Sequence, residues 1–500
     1  GLGGASFASE DLDEDSETED RPAVQVGDPY TEKLLIEANE DIVGGDLAAA
    51  ARDLGAAGLG GATCEMAAQG DLGARIELGA VHQREPGMNA TEILLSESQE
   101  RMCYEVAPEN VEAVRDIADR YDLGSAVVGE VTEGRYVCTF EGETVVDLPA
   151  EFAADGAPTN DLDAVEPPAV ERDLPDAPLA ASVEAVLADP NTASKEWVYR
   201  QYDHEVGVRT ALRPGGDAAV LALREAGGES VGLAVSAGAN PRWTDAAPRE
   251  GAHATAVENA TNLAATGAEP LAAVDCLNGG NPEKPAVYGG FRAIVEGLAA
   301  GCRALSVPVV GGNVSLYNDS AAGPIPPTPT VAMLGTRAGT DARTLDLAGA
   351  GDLLLVGGHA TGLGGSAYLA HAGGADRFPG VEEPDRAVAA VRAAATHPAT
   401  EAVHDVSDGG LAVALAEMVG DAGARVEVPD APALFSEAPG RAVVETTDAG
   451  ALRESVDAPV AELGTATDDG TLALSVGGES LTYDAAAIAE MRGVIGRELD

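Results

Sequence analysis

Apolar and polar positions along the chain follow helical and strand periods, and the resulting order of predicted elements occurs twice. Each copy opens with a glycine-rich turn and a helix, continues with an acidic turn and an apolar helix, and then has a strand, a helix and further strands. In the first copy the pattern predicts helices over 29–40, 54–68 and 111–121 and a strand over 96–106. In the second copy it predicts helices over 366–371, 411–419 and 449–456 and a strand over 441–446. Each copy is therefore predicted to form a mixed α/β layer.

The middle of the chain has a different pattern. Short β-like runs at 218–223 and 232–236 precede a long predicted helix over 253–266. A second helix over about 290–301 and a strand over 306–310 follow. This order predicts a separate, β-rich domain.

Four short motifs recur in the same order in the two outer stretches, which indicates an internal duplication. The spacing between the copies shrinks steadily along the chain, as expected if the first copy carries extra loop residues. A repeat this long is a duplicated domain rather than a solenoid. The motif pairs begin at Gly1 and Gly362, at Asp53 and Asp405, at Leu95 and Phe435, and at Gly129 and Gly464.

Changes in composition suggest where the domains begin and end. Residues 10–20 (EDLDEDSETED) read as a solvated acidic loop insertion. Residues 151–195 are rich in Pro, Ala and Asp and predict an acidic linker, and a second change lies near residue 340. We therefore predict an α/β domain over 1–150, the linker over 151–195, a β-rich domain over 196–340 and an α/β domain over 341–500.

Charge excludes some classes of partner. The chain has 84 Asp and Glu against 30 Lys and Arg, a formal net charge of −54. Such a chain repels nucleic acid and anionic membranes unless basic residues cluster, and no basic cluster is present in the sequence. Because the acid is spread along the whole chain, we interpret it as adaptation to a salt-rich cytoplasm, with an acidic interaction surface as the alternative.

Other sequence signals narrow the setting further. No apolar run is long enough for a membrane span, and no secretory signal is present at the N-terminus. The five cysteines are widely spaced and include no CxxC, which favours a reducing cytosol over a disulfide scaffold or a zinc site. The sequence begins with Gly1 rather than Met, so we expect a processed chain or a fragment.

Two glycine-rich stretches could carry phosphate chemistry. The chain has no GxxxxGK[ST] motif, which excludes a P-loop NTPase. Gly55–Gly61 could cradle a phosphate or simply allow tight packing. Residues 309–317 (VVGGNVSLY) place Asn313 and Ser315 after two glycines, where their oxygens suit Mg²⁺ or phosphate; a Gly-Asn hairpin turn is the alternative.

Isolated polar residues are ambiguous from the sequence alone. Asp53 precedes an apolar helix and could be its N-cap. Glu97 and Gln99 alternate on a predicted strand, so we expect both to face one side, toward solvent or a ligand. His404 with Asp405 could form an acid/base pair, although a solvated turn is the stronger expectation.

Several long motifs resemble one family, the synthetase subunits of phosphoribosylformylglycinamidine synthase from purine biosynthesis. The similarity runs from Gly1 to about Leu481, and the tandem architecture of the family agrees with the duplication. The motifs are 21–38 (RPAVQVGDPYTEKLLIEA), 95–102 (LSESQERM), 275–285 (DCLNGGNPEKP), 309–318 (VVGGNVSLYN) and 404–418 (HDVSDGGLAVALAEM).

The resemblance implies a fold and a reaction. The fold is a tandem, aminoimidazole-ribonucleotide-synthetase-like α/β (α+β) architecture, with ferredoxin-like β-rich domains beside α/β domains. The reaction is the ATP-dependent amidation of formylglycinamide ribonucleotide through an O-phosphorylated amide. Ammonia comes from a separate glutaminase subunit, aided by a small third subunit. Mg²⁺ is the expected cofactor and the cytoplasm the expected location.

The resemblance also assigns roles to residues. It implies that Gln25, Glu97, Ser98, Gln99 and Ser315 bind the ribonucleotide. ATP contacts are expected from Asp275 and Gly312, and magnesium ligands from Asp53 and Asn313. By the duplication, the surroundings of Asp405 are expected to line a non-catalytic nucleotide site.

Two departures from the family pattern matter. Gly279 stands where the family usually has Phe, so we expect looser packing of that turn. The family's catalytic histidines belong to an N-terminal portion to which no residue of this sequence corresponds, so no catalytic residue is assigned. Two alternatives remain: a non-catalytic nucleotide-binding or assembly fragment of the same complex, and a related enzyme such as aminoimidazole ribonucleotide synthetase.

Overall fold

A computed structural model describes residues 28–83, 87–168, 170–226 and 230–500. Gln25, the acidic stretch 10–20 and the Gly1 motif lie outside these residues. The chain divides into two compact units. The first unit extends to Asp161 and includes Ser320–Ala322, and the second comprises Leu162–Asp319 and Gly323–Asp500.

The first unit has two small sheets packed with helices. One sheet has the strand order β1-β3 and the other β4-β2-β5-β6. Its strands are β1 (Ala48–Asp53), β2 (Gly73–Glu77), β3 (Met102–Val106), β4 (Gly129–Thr132), β5 (Arg135–Phe140) and β6 (Glu143–Pro149). Its helices are α1 (Pro29–Gly44), α2 (Gly58–Gln69), α3 (Ala90–Leu95), α4 (Val111–Arg120) and α5 (Ala150–Asp155).

The second unit begins with short helices and then forms a six-stranded sheet of order β11-β10-β14-β9-β8-β7. The helices of this part are α6 (Leu179–Leu187), α7 (Glu196–Tyr199), α8 (Pro241–Ala246), α9 (Pro248–Ala265) and α10 (Pro285–Ala304). The strands of the sheet are β7 (Thr210–Leu212), β8 (Ala219–Leu223), β9 (Val231–Gly238), β10 (Glu269–Asn278), β11 (Val309–Ser315) and β14 (Thr328–Ala338). A short pair, β12 (Asp319–Ser320) and β13 (Gly323–Pro324), lies between β11 and β14 in the chain.

The last part of the second unit is a seven-stranded sheet of order β16-β18-β15-β19-β17-β20-β21. Its strands are β15 (Asp352–Val356), β16 (Thr400–Asp405), β17 (Gly423–Val428), β18 (Ala442–Thr446), β19 (Val460–Thr467), β20 (Thr471–Val476) and β21 (Glu479–Asp484). Its helices are α11 (Ala367–Ala372), α12 (Pro384–Thr396), α13 (Gly410–Met418), α14 (Ala431–Phe435), α15 (Ala449–Ser455), α16 (Ala485–Arg492) and α17 (Val494–Leu499).

The two outer stretches have the same strand pairing. In the first unit β2 is antiparallel to β4 and parallel to β5, and β5 is antiparallel to β6. In the second unit β17 is antiparallel to β19 and parallel to β20, and β20 is antiparallel to β21. The duplication inferred from the sequence motifs is therefore a duplication of topology.

Helix α9 is the centre of the β-rich part. It packs on β9, β10 and β14 and also on α10 and α12. Because it is covered on several sides, most of its residues are buried, including the polar Asn259 and Thr261. Of the helices in the described residues, none combines the length and the apolarity that crossing a bilayer requires.

The segment predicted to be a linker contains a structured helix. Leu179, Val183, Val186 and Leu187 of α6 are buried and belong to the core of the seven-stranded sheet. Their spacing places them on one face of the helix. The linker prediction is therefore wrong for this helix, because the Pro, Ala and Asp around it hid a short amphipathic pattern.

Candidate functional site

In the first unit, Asp53 ends β1 and is held beside the start of β3. Its Oδ1 accepts a hydrogen bond of 2.8 Å from the backbone N–H of Gly55. The backbone N–H of Leu54 donates to the carbonyl of Arg101 at 3.2 Å. Helix α2 begins later, at Gly58, and has no side-chain cap, so the N-cap interpretation of Asp53 is wrong.

A left-handed turn joins Asp53 to α2. Ala57 and Gly58 have φ angles of 58° and 54°. A Cβ at Gly58 would overlap the carbonyl oxygen of Ser96, so the chain needs glycine here for both conformation and space. A Cβ at Gly60 would lie 3.0 Å from the Leu94 side chain. At these two positions the glycine-rich stretch provides close packing of α2 against the 94–96 segment.

Residues 96–101 form a loop and not the predicted strand, which begins only at Met102. The guanidinium of Arg101 donates to the carbonyls of Ser96 and Ser98, and Glu100 has a left-handed φ of 57°. These features curl the chain back on itself. The sequence pattern did not reveal the curl, because polar residues alternate in both a loop and an exposed strand.

The loop places the side chains that are predicted to contact the ribonucleotide near the N-terminus of α2. Glu97 Oε1 accepts a 3.4 Å hydrogen bond from the backbone N–H of Ala57, and the hydroxyls of Ser98 and Ser96 lie 3.4 Å apart. Gln99 Oε1 is buried and has no hydrogen-bond partner among the described residues. Glu97, Ser98 and Gln99 all line a cavity of about 1690 Å³ in this unit. The unpaired amide oxygen of Gln99 is suited to accept a hydrogen bond from a ligand.

In the second unit, the predicted ATP-contacting pair lies on neighbouring parallel strands. Asp275 of β10 is in register with Gly312 of β11. A Cβ at Gly312 would overlap Asp275 Oδ1, so only glycine leaves the carboxylate in this position. Partial burial raises the pKa of Asp275. The Asp275 carboxylate therefore lies beside the backbone of Gly312, which has no side chain. A ligand can approach this backbone closely.

Asn313 and Ser315 follow on β11. Asn313 is exposed, and Ser315 is half-buried at the end of the strand. The side-chain amide of Asn318 donates to Ser315 Oγ at 3.2 Å and to the carbonyl of Gly279 at 3.0 Å. Asn318, which sequence reasoning did not single out, thus holds the Ser315 hydroxyl and the 278–280 turn together.

Gly279 does not leave the turn loosely packed. A Cβ at this position would lie 2.6 Å from the ring of Phe291 on α10 and 3.3 Å from Leu316. Phe291 therefore fills the space, and a larger residue at position 279 would displace it.

The structure groups the predicted residues by unit. Asp53, Glu97, Ser98 and Gln99 lie together in the first unit, and Asp275, Gly312, Asn313 and Ser315 lie together in the second. Asp53 and Asn313 each carry a hard oxygen, the donor type that Mg²⁺ prefers. Gln25 is outside the described residues.

The second copy has the same loop geometry as the first. Glu437 Oε1 accepts from the backbone N–H of Gly409 at 2.8 Å, as Glu97 does from Ala57. Arg441 donates to the carbonyls of Ser436 and Ala438, as Arg101 does to Ser96 and Ser98. The two copies therefore share individual hydrogen bonds as well as strand topology.

The second copy buries its acids more deeply than the first. Glu437 also accepts from Trp243 Nε1 at 2.7 Å and from the backbone N–H of Ala367 at 2.8 Å. Burial, with the nearby Asp408 carboxylate, raises the pKa of Glu437 to about 8, against the effect of its hydrogen bonds. The carboxylates of Asp405 and Glu258 are neighbours in this region, and burial is the main cause that raises the pKa of each.

His404 is the centre of an ion network. Its two ring nitrogens lie 2.5 Å from Asp217 and 2.8 Å from Glu417. Burial alone would lower the pKa of His404, but the two carboxylates outweigh it and hold the pKa well above its usual value. The solvated-turn expectation for His404 and Asp405 is therefore wrong, because both side chains are buried.

The same network bears on metal binding. Asp217, His404 and Asp405 bring ligand atoms within 4.8 Å of one another. An imidazolium that donates from both nitrogens has no lone pair for a metal, so His404 fits an ion pair better than a metal site.

The repeated motif identified Asp405 as the counterpart of Asp53, but nothing in the local sequence indicated that Asp405 is buried.

Comparison with protein families finds two related models. The model for the C-terminal domain of AIR synthase related proteins matches residues 1–140 and again 349–477. The model for the N-terminal domain of the same proteins matches residues 215–337. The C-terminal model thus matches both copies of the repeat. These two stretches of the C-terminal model together cover more than half of the chain.

Individual relatives agree with the family models. The phosphoribosylformylglycinamidine synthase subunit PurL of Halobacterium salinarum (strain R1) is 68% identical over 501 residues, which covers 100% of this chain and 71% of the relative. The subunit of the same name from Natronomonas pharaonis is 66% identical over 508 residues, with the same coverage. Both identities extend along the whole of the present sequence.

Solved structures share the fold. The structure of T. maritima PurL complexed with FGAR is 29% identical, with a TM-score of 0.72, and covers 93% of this chain and 69% of that one. The complex with ATP is 27% identical, with a TM-score of 0.67 and coverages of 92% and 69%. A structure of PurLQS from Thermotoga maritima is 28% identical, with a TM-score of 0.69 and coverages of 92% and 70%.

Proposed function

The chain belongs to the family of phosphoribosylformylglycinamidine synthase PurL subunits, and from this premise we propose that it catalyses the ATP-dependent amidation of formylglycinamide ribonucleotide (FGAR) in purine biosynthesis. One observation supports this above all others. The T. maritima relatives that share the fold are complexed with FGAR and with ATP, two of the three substrates of this reaction.

The reaction needs activation of an unreactive amide. An amide carbonyl is a weak electrophile, and its oxygen is a poor leaving group. Transfer of the γ-phosphoryl of ATP to that oxygen releases ADP and creates an O-phosphorylated intermediate. Ammonia then attacks the carbon, and the oxygen leaves with inorganic phosphate to give the amidine. The protein's main contribution is to position the two substrates and to neutralise charge.

Residues of the first unit are proposed to hold the ribonucleotide. Glu97, Ser98 and Gln99 of the 96–101 loop line one cavity, and Gln99 Oε1 has no hydrogen-bond partner among the residues that the structure describes. These groups accept or share hydrogen bonds, as hydroxyl and amide N–H groups of a ribonucleotide require. Gln25, outside the described residues, and Ser315 of the second unit are proposed as further contacts.

Residues of the second unit are proposed to hold ATP. The Asp275 carboxylate against the Gly312 backbone suits close approach of the nucleotide. Asp53 and Asn313 would hold Mg²⁺ with oxygen donors. When bound, Mg²⁺ neutralises charge on the transferring phosphoryl group.

Ammonia is proposed to come from a partner. The relatives are named as subunits of a synthase, and one of the solved structures that share the fold is of PurLQS from Thermotoga maritima. We propose a glutaminase subunit and a small third subunit as the partners. We propose a cytoplasmic location, because the widely spaced cysteines fit a reducing compartment and because of this biosynthetic role.

A substrate-dependence assay tests the proposal. Phosphate release from ATP is measured in molar KCl with FGAR and ammonium chloride, each present or omitted. We expect turnover only when all three substrates are present, in the 500-residue chain or in the native full-length protein. If neither protein releases phosphate in an FGAR-dependent manner, the enzyme proposal is wrong.

Matched variants show whether the 96–101 loop acts in binding. We expect Glu97→Gln to raise the KM for FGAR while the fold is unchanged. Glu112→Gln is the control, since Glu112 is an exposed residue that pairs with Arg115 on α4. Equal KM values for the two variants would remove Glu97 from the site.

A further inference from the structure

Asn318 lies three residues beyond the proposed ribonucleotide contact Ser315, at the edge of the sheet where β10 and β11 both end. The two strands are parallel, and Asn278 at the end of β10 is in register with Ser315 at the end of β11. Asn318 is half-buried at this edge. Its side chain is therefore placed between the segments that leave the two strands.

The side-chain amide of Asn318 joins the two strand ends. Its Nδ2 donates to Ser315 Oγ at 3.2 Å and to the carbonyl of Ser315 at 3.1 Å. The same nitrogen donates to the carbonyl of Gly279, which directly follows β10, at 3.0 Å. Three acceptors thus share the two protons of one amide group. Alanine at position 318 would remove all three contacts.

Backbone hydrogen bonds hold Asn318 itself in place. Its N–H donates to the carbonyl of Gly279 at 3.1 Å, and its carbonyl accepts from the N–H of Ile325 at 3.1 Å. Tyr317, with a left-handed φ of 62°, donates its N–H to the carbonyl of Gly280 at 3.2 Å. The backbone therefore fixes the position of Asn318 without using the Ser315 side chain.

The next residue, Asp319, anchors the far side of the same turn. Its carboxylate is buried, accepts from the backbone N–H of Asn281 at 2.7 Å and pairs with the ammonium group of Lys284. A Cβ at Gly280 would lie 2.6 Å from Asp319 Oδ1, so the close approach of this carboxylate needs glycine. Because of these contacts, loss of the amide at position 318 alone should not release the whole turn.

We propose that Asn318 is a positioning residue for the ribonucleotide, which holds the Ser315 hydroxyl in the orientation that contacts the substrate. The inference rests on the proposed function, because it takes Ser315 as a contact of FGAR. A serine side chain has three staggered χ1 positions, and a hydrogen bond from Asn318 favours one of them. A hydroxyl that is already oriented loses less conformational freedom when the ligand binds.

Kinetics of the native full-length enzyme test this role. Asn318→Ala is assayed for phosphate release in molar KCl, with FGAR and ATP varied in turn. We expect the KM for FGAR to rise about three- to tenfold, as for one lost hydrogen bond, while kcat and the KM for ATP change by less than about twofold. A purely structural defect would instead reduce the amount of active enzyme, and therefore kcat, without changing the KM for FGAR.

Further variants separate the amide from packing. Asn318→Gln keeps the amide donors, so its KM for FGAR should lie closer to the wild-type value than that of Asn318→Ala. Asn318→Leu keeps most of the volume without the amide and replaces Asn318→Ala if the alanine variant does not fold. Asn110→Ala is the matched control, because the Asn110 amide also donates to a backbone carbonyl, that of Leu47, but directly precedes α4 in the first unit. We expect wild-type KM values for this control.

A double-mutant cycle tests whether Asn318 acts through Ser315. If it does, the double variant Asn318→Ala/Ser315→Ala should have the same KM for FGAR as Ser315→Ala alone, within about twofold. A larger KM in the double variant would overturn the proposal, as would a wild-type KM in Asn318→Ala. Lack of FGAR-dependent turnover in the wild-type enzyme is a separate result, since it contradicts the proposed function before any variant is compared.

Discussion

Single side chains shape the loops that carry the candidate binding residues. Arg101 and Arg441 each close a loop by donating to carbonyls three and five residues earlier in the chain. Gly58 and Gly410 each have a left-handed φ that brings a helix N-terminus against such a loop. All four residues fall within the repeated motifs, but their role in local geometry is something that no periodicity expresses.

The left-handed glycine gives the first prediction. Gly58→Ala should lower the free energy of unfolding by about 1–3 kcal/mol, because φ is +54° and the added Cβ would overlap the Ser96 carbonyl. The measurement is chemical denaturation in molar KCl. Gly44→Ala is the control, since nothing lies within 4 Å of its Cβ position and its φ is not left-handed. Equal losses in the two variants would contradict the argument.

The buried Glu437 gives a prediction about pH. Burial raises its folded-state pKa to about 8, above the value near 4.3 expected in the unfolded chain. Between these values the folded protein binds more protons than the unfolded one, so stability should fall as pH rises from about 5 to 8, by at most about 1.4 kcal/mol per pH unit for one proton.

The matched variant is Glu437→Gln, which keeps an acceptor and cannot ionise. Its free energy of unfolding should depend less on pH between 5 and 8 than that of the wild-type chain. Glu112→Gln, at an exposed site, should leave the wild-type dependence unchanged. The interpretation fails if Glu437→Gln and the wild type have parallel pH profiles.

At the level of elements, long periodic segments could be predicted and buried irregular ones could not. The helices predicted over 253–266 and 290–301 correspond to α9 and α10, which extend further at their N-termini. The strand expected over 96–106 is mostly loop, because Arg101 hydrogen bonds override the alternation. Helix α6 was missed because four apolar residues among Pro, Ala and Asp are a weak signal.

Helix α6 gives a prediction that separates a core element from a linker. Leu187→Ala should lower the free energy of unfolding by about 2–5 kcal/mol, since Leu187 is fully buried in the core of the seven-stranded sheet. Leu499→Ala is the control, because Leu499 is 59% exposed in α17. Similar, small losses in both variants would show that α6 is only a connecting segment.

At the level of the whole molecule, the duplication describes the topology, and the net charge affects the stability of the compact state. The duplication is visible in the sequence motifs, in the strand pairing and in the paired hydrogen bonds of the two loops. The net charge of −54 has no part in specifying this topology, and it acts through self-repulsion of the compact state. Positions of buried acids such as Glu437 could not be predicted, because burial depends on contacts between distant segments.

Salt dependence tests the interpretation of the charge. The melting temperature should rise as KCl increases from about 0.5 M to several molar, because screening weakens the repulsion among surface carboxylates. Differential scanning calorimetry at constant pH measures this. A melting temperature that is flat or falls over this range would reject salt adaptation.

An isotope experiment shows whether ATP activates the amide oxygen of FGAR. FGAR is labelled with ¹⁸O in the amide carbonyl that becomes the amidine. The native enzyme converts it with ATP and ammonia in molar KCl, and the phosphate is analysed by mass spectrometry. We expect one ¹⁸O in each inorganic phosphate released with product. Product formation with unlabelled phosphate would contradict this activation.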